Sequence, residues 1–200
     1  MNIITICTDI FQSNTYIITS EKSAIIIDPS GSDKIYELIK NRLEGKQLKA
    51  VLFTHGHFDH IALGHKFEQK VQSYIHRLDE KMLYTAQPLG KRLGFDIKPF
   101  RADNNLDGGE ELIFDNIVVK VLHTPGHSQG SVCFVIDNSI FSGDTLFNNS
   151  IGRTDFIGGS FEQIKKSINS LFLLDGDYDI YPGHGESTTL RYEQKHNPNI

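Results

Sequence analysis

Ala50-Val51-Leu52-Phe53-Thr54-His55-Gly56-His57-Phe58-Asp59-His60 is the stretch on which the reading of this chain turns. The apolar run predicts a buried strand, and Thr54 ends it and delivers the chain into a cluster of three imidazoles and one carboxylate. Those donors suit zinc, iron or manganese. His57 follows His55 by two positions, so an extended backbone aims both rings to one side, whereas Asp59 and His60 fall where a helix begins and point elsewhere. Four donors this close are shared between metals, and two neighbouring metal sites are the expected result.

Outward from this cluster, three further segments repeat the pattern of strand, glycine, ligand: Thr124-Pro125-Gly126-His127-Ser128, Phe141-Ser142-Gly143-Asp144-Thr145 and Tyr181-Pro182-Gly183-His184-Gly185. Glycine beside each donor lets the backbone turn sharply and approach an ion closely. Of nine histidines, five lie in these motifs and the opening one. The other four, His65, His76, His123 and His196, are read as surface or packing residues, with His123 the candidate to hold a ligand in place.

Between the motifs, residues 3–6, 15–19, 24–28 and 73–76 read as strands, 33–43 as a helix, and 78–84 as a weaker helical stretch. A helix is expected after the first motif to about residue 70. Residues 87–105 are punctuated by Gly and Pro and read as a surface excursion bordering the substrate cleft. Strands follow at 111–114, 117–122, 131–136 and 140–141, with a tight hairpin at Asp115-Asn116. A helix at 161–172, a strand at 178–181 and a helical tail at 188–196 close the chain.

With 200 residues, 38% of them hydrophobic and 22% charged, the chain is expected to form a soluble, single domain spanning 1–200. A net charge of −5 argues against a nucleic-acid partner, because phosphate contacts need a basic surface. No apolar run reaches the roughly 20 residues needed to span a bilayer, so no membrane partner is expected. The first residues lack a basic start and an apolar secretory stretch, which places the protein in the cytoplasm as an expectation. Cys7 and Cys133 are the two cysteines; Cys133 sits in Val132-Cys133-Phe134-Val135-Ile136 as a buried small hydrophobe, and neither is read as catalytic or disulfide-bonded.

In this order, T-H-x-H-x-D-H, T-P-G-H, S-G-D and P-G-H resemble the metallo-β-lactamase-like hydrolases over nearly the whole chain. The resemblance implies an α+β, four-layer αβ/βα sandwich, with two sheets face to face, helices outside and the ligand loops along one edge. Residue by residue it gives His55, His57 and His127 to a first metal, Asp59, His60 and His184 to a second, and Asp144 as the bridge. Lactamases of this family use different residues in parts of the second site, and flavodiiron proteins replace a first-motif histidine with glutamate; neither change is present. Ile151-Gly152-Arg153-Thr154-Asp155-Phe156 and Pro182 to Glu186 through Asn197-Pro198 look like the short glyoxalase II-like (hydroxyacylglutathione hydrolase-like) group. Full-length glyoxalase II adds a C-terminal helical region that contacts glutathione, and no such region is expected within these 200 residues.

What this implies chemically is two divalent ions, zinc first and iron or manganese next. Held about 3.5–4 Å apart, they would lower the pKa of a shared water from 15.7 toward roughly 7 and so supply hydroxide as nucleophile. Asp59 and Asp144 are the candidate catalytic residues, Asp144 positioning both ions and the hydroxide. A thiol, with a pKa near 8.5, leaves as thiolate without a proton donor, so an acyl thioester such as S-D-lactoylglutathione is the expected small-molecule substrate. The alternatives are a mononuclear-iron persulfide dioxygenase, a lactonase or phosphodiesterase on the same fold, and a non-enzymatic metal-binding module.

Around the ligands, Asp28 is read either as support for their loops or as an ordinary Asp-Pro turn. Thr54 and Ser128 either orient ligands or finish local structure. Arg153 and Asp155 are read as an ion pair holding their loop ahead of substrate contacts, and Tyr16, Tyr36, Tyr74 and Phe95 as packing residues ahead of cleft residues. With Asp144 as the bridge, Asp144→Ala is expected to abolish both metal loading and turnover, measured as bound metal per chain and hydrolysis on the same sample; full activity would contradict the assignment.

Overall fold

Strands of uninterrupted apolar residues belong in sheets covered on both faces, and the computed structural model, which describes residues 1–200 except the side chain of Gln87, shows two such sheets. The first contains β1 (Asn2–Cys7), β2 (Asn14–Thr19), β3 (Ser23–Ile27), β4 (Gln47–Leu52), β5 (Gln72–His76) and β6 (Asn104–Leu106), in that spatial order. β1 to β3 form an antiparallel meander, while β3 to β6 run parallel. Parallel neighbours need crossovers. Helix α1 (Asp33–Arg42) supplies one, α2 (Phe58–Ile61) lies in the next, and α3 (Gln87–Arg92) lies in the last.

The second sheet begins with β7 (Glu111–Phe114), β8 (Ile117–His123), β9 (Val132–Ile136) and β10 (Ser139–Gly143). A separate hairpin follows, β11 (Leu146–Phe147) with β12 (Ser150–Ile151), and then helix α4 (Phe161–Phe172). This helix carries the chain to β13 (Asp179–Pro182), which pairs parallel to β10, and β14 (Thr188–Thr189) and helix α5 (Leu190–His196) complete the element order. The resulting spatial order is β14-β13-β10-β9-β8-β7.

Period-two alternation sorts the side chains into three apolar layers. Tyr16, Ile18, Ile25, Ile27 and Leu52 face Val119, Val121, Phe134 and Phe141 between the sheets. Their alternates Ile17, Ala24, Ile26, Val51 and Phe53 face outward onto Ile39 of α1 and onto Ile61, Phe67 and Phe100. On the other side Cys133, Val135, Ile140 and Ile180 pack on Ile164, Ile168 and Leu171 of α4 and Leu190 of α5. The expected four-layer αβ/βα sandwich is therefore present. No helix among the described residues is long and apolar enough to cross a membrane.

Three expectations change. The helix after the first motif stops at Ile61 and continues only as a 3₁₀ turn, Gly64–Lys66. Phe100 lies against Gly64 where a Cβ would stand, so packing bends the chain there instead of extending the helix. The weaker helical stretch is likewise a 3₁₀ helix, Glu80–Tyr84. The excursion at 87–105 contains α3, with Pro in its first turn, and ends as β6 on the sheet edge.

Phe141 is fully buried between the sheets, its ring 5.1 Å from that of Tyr16 and 5.2 Å from that of Tyr181. Phe141→Ala is expected to cost about 3–5 kcal/mol in a urea unfolding series, and a loss below about 1 kcal/mol would mean this layer does not carry the sandwich.

Candidate metal centre

Every motif residue lies just beyond the carboxyl end of a strand, along one edge of the sandwich. β4 leads through Phe53 and Thr54 to His55; His57 caps α2, and Asp59 and His60 lie within it. The turn after β8 carries His127, Asp144 follows directly on the end of β10, and His184 stands two residues past the end of β13. Because β10 and β13 are parallel neighbours, their two ligand loops emerge side by side, joined by Gly183 N–H donating to the Gly143 carbonyl at 2.8 Å. A Cβ at Gly183 would collide with Asp144 Oδ1, so glycine is required for the approach.

All seven residues converge. His57 Nδ1 lies 2.8 Å from His127 Nε2, and His55 joins them in one group of potential ligands. His60 Nε2 lies 3.2 Å from His184 Nε2, with Asp59 Oδ2 3.4 Å from the latter. Asp144 stands between the groups: Oδ2 is 3.3 Å from His127 Nε2, and Oδ1 is 3.4 Å from His60 Nε2.

Hydrogen bonds on the far side of four rings decide their tautomers. His127 Nδ1–H donates to the Arg153 carbonyl at 2.8 Å, and His184 Nδ1–H to the Phe11 carbonyl at 3.1 Å. His60 Nδ1–H donates to Asp28 Oδ2 at 3.1 Å. Thr54 Oγ1 donates to Asp28 Oδ2 at 2.6 Å and so accepts from His55 Nδ1–H at 3.1 Å. In the neutral form of each of these four rings the inward Nε2 therefore carries the lone pair, facing two carboxylates that can only accept. His55 Nε2 and Asp144 Oδ1 are buried without a hydrogen-bond partner. Such a convergence of lone pairs is repulsive by itself and is relieved by cations; the donor set fits divalent metals.

Asp28 is thus the support of the ligand loops and not a bare turn residue. It also falls near His55 and His60 as a possible ligand, but Thr54 N–H at 2.7 Å, the Thr54 hydroxyl and His60 already occupy its oxygens. Thr54, two residues past the end of β4, orients His55. Ser128 reaches no ligand ring directly; its hydroxyl donates to Asp79 Oδ2 at 2.6 Å. Asp79 is the residue the sequence reading missed. Buried after β5, it accepts from Gly56 N–H at 3.0 Å and Gly130 N–H at 2.8 Å, clamping the first motif to the His127 loop. An Asp following His76-Arg77-Leu78 offers no local signal of that role.

His123 does not hold a ligand: its ring stacks on His76 at 4.1 Å and its Nε2 is 2.9 Å from the Gln129 carbonyl. β8 alternation turns it away from the site. Arg153 and Asp155 form a bidentate ion pair, 2.9 and 2.8 Å, and the Arg153 guanidinium lies over the Phe156 ring. Phe156 is 5.4 Å from His57 and half-exposed, so it stands at the solvent side of the cluster. Tyr16 is a packing residue whose hydroxyl also donates to the Pro182 carbonyl, and Phe95 joins the rings of Phe11 and Phe58 beside the centre. Tyr36 and Tyr74 pack on Phe67 and Phe114.

The family profile described as the metallo-beta-lactamase superfamily matches residues 8–184. A relative named hydroxyacylglutathione hydrolase GloC, from Haemophilus influenzae, is 36% identical, the match covering 99% of this chain and 97% of that protein. Among solved structures, BLEG-1 B3 metallo-beta-lactamase superposes with TM-score 0.90 at 34% identity over 98% of both chains. TTHA1623 in a di-iron-bound form gives 0.88 at 30% identity, over 98% of this chain and 100% of that one.

Protonation shows where the cluster wants positive charge. Burial works against a charged His60, yet Asp144, Asp59 and Asp28 overcome it and push its pKa up to about 10. Burial likewise opposes ionised Asp59, but His60 and His184 hold it well below the usual carboxylate range. His57 is pulled down to about 4 by burial and then by His127. A proton on His60 thus occupies the place of a cation in metal-free protein. Because this folded value lies above the unfolded 6.5, the His60 contribution to metal-free stability is full below pH 6.5 and is lost as pH rises through about 10. The metal-free melting temperature is expected to fall over that window, and metal loading at pH 7 to release about one proton, read by calorimetry in buffers of different ionisation enthalpy. Loading without proton release would contradict it.

Proposed function

The chain belongs to the metallo-beta-lactamase superfamily, and from that membership and its inward-facing donor set we propose that it is a dinuclear-metal hydrolase of acyl thioesters. The hydroxyacylglutathione type, with S-D-lactoylglutathione foremost, is the substrate class, and zinc is the first choice of metal, with iron or manganese compatible with the same donors. The observation that carries the reading is the set of four imidazoles whose Nδ1–H groups are tied outward and whose lone pairs meet around Asp59 and Asp144.

His55, His57 and His127 would hold one cation and Asp59, His60 and His184 the other, with one oxygen of Asp144 toward each group. Two cations bound there would supply a nucleophile from water at neutral pH and a Lewis acid for the substrate carbonyl. The protein's part is orientation. Asp28 and Thr54 fix His55 and His60, and Asp79 fixes the two loops that carry His55, His57 and His127. Phe156 on one side and Phe147, 6.2 Å from His184, on the other bound the approach to the carboxylates.

The leaving group follows from the same hydrogen bonds. Asp28 and Asp79, the carboxylates behind the ligand set, are each occupied by three donors, so neither is free to protonate a departing amide nitrogen. A thiolate needs no such proton, since its conjugate acid has a pKa near 8.5. The likeness to the Haemophilus hydroxyacylglutathione hydrolase supports the same class.

S-D-lactoylglutathione turnover by protein whose zinc, iron and manganese are quantified on the same sample tests the proposal. Turnover with two ions per chain is expected. Two ions without thioester hydrolysis would overturn the substrate and redirect the search to lactones and phosphodiesters. One iron per chain, with oxygen consumed on glutathione persulfide, would replace it with a persulfide dioxygenase.

A further inference from the structure

Asp28 braces a ligand of each group, His60 directly and His55 through Thr54, but the rest of the bracing comes from different parts of the chain. His55, His57 and His127 depend on Thr54, Asp79 and the Arg153 carbonyl. On the other side, Asp28 holds His60, but Asp59 and His184 are reached from a four-residue turn near the N-terminus, Ile10-Phe11-Gln12-Ser13, closed by Ser13 N–H on the Ile10 carbonyl at 3.2 Å. The Phe11 carbonyl accepts from His184 Nδ1–H at 3.1 Å. Buried Ser13 donates from its hydroxyl to the Asp59 carbonyl at 2.6 Å and forms an isolated bridge with His184. The Phe11 ring stands edge-on to Phe58, 5.5 Å away, the first residue of the helix that carries Asp59 and His60.

This turn is strained. Phe11 has φ +52° and Gln12 φ +55°, two consecutive left-handed residues where a hairpin ordinarily uses Asn-Gly. A strained backbone persists where its surroundings over-determine it, and here each of the named contacts holds it against the same ligand group. His184 also has most need of a tether: its side chain is 28% exposed, whereas His60 is fully buried and His127 nearly so.

We propose that the Ile10–Ser13 turn positions the second metal subsite, setting cation affinity at Asp59, His60 and His184 separately from that at His55, His57 and His127. The inference rests on the dinuclear reading. A carbonyl fixed on Nδ1–H sets the tautomer and strengthens Nε2 as a donor, so loosening the turn weakens one subsite selectively.

The test titrates metal-free protein with Zn²⁺ in competition with a chromophoric chelator, the two binding steps being assigned by their loss in His127→Ala and His184→Ala. Gln12→Val places a β-branched residue at positive φ, and Phe11→Ala removes the ring that anchors the turn to α2. Both are expected to weaken the step lost in His184→Ala by about tenfold while leaving the other step unchanged, which also reports that the variants fold. Gln12→Gly, which tolerates the turn, is expected to keep both steps. Equal weakening of both steps, no weakening, or the same loss in Gln12→Gly as in Gln12→Val would overturn the inference alone. A wild-type chain that takes up one Zn²⁺ would instead overturn the dinuclear reading on which it rests.

Discussion

The buried carboxylate of Asp28 is the group on which the order of the centre depends. At 2% exposure and φ +50°, it sits in a backbone conformation that few side chains tolerate, at a depth where an unpaired charge is prohibitive. The surrounding hydrogen bonds make it tolerable: Thr54 N–H and hydroxyl, and His60 Nδ1–H, all point at its oxygens, while its own carbonyl accepts from Thr15. One residue at the end of β3 therefore sets the exit of β4, the tautomer of His60 and, through Thr54, that of His55. Removing such a charge or one of its partners would leave the others buried and unsatisfied.

Asp79 plays a similar part across the gap between the sheets. Its oxygens gather main-chain N–H groups from the loop after β4 and from the loop after β8, which belong to different sheets. The centre is thus suspended from both halves of the sandwich, and its geometry is as rigid as their packing. Three apolar layers supply that rigidity. They also offset a local cost, because inward lone pairs and acceptor-only carboxylates repel until positive charge arrives.

Loop and strand contributions divide unevenly between the two ligand groups. The group containing His55, His57 and His127 is bound to regular strands and to buried hydrogen bonds, whereas His184 hangs on the strained turn at Phe11 and on Asn14, whose side chain donates to the Pro182 and Gly185 carbonyls. Rigidity on one side and a tensioned loop on the other is the difference on which the proposal of separately set cation affinities rests.

The residues by themselves determined most of the strands and the donor motifs, because alternation of apolar residues and a glycine beside a donor at a strand end are patterns complete within a few residues. The family resemblance that those motifs carry implied the sandwich and the set of seven donors, and the short strands β6, β11, β12 and β14 were not legible. The resemblance also pointed to Asp28 at a strand end, without choosing between support of the ligand loops and an ordinary Asp-Pro turn. The clamp at Asp79, the brace from Phe11 and Ser13, and the outward turn of His123 were decided by tertiary structure. Their partners lie 23 to 173 residues away along the chain, and His76, on which His123 stacks, falls within that range. The length of α2 belongs with them, since Phe100 against Gly64 ends what local propensity would have continued. A hydrogen bond between distant residues leaves no mark on the composition around either one; only the packing of the sheets brings its donor and acceptor within reach.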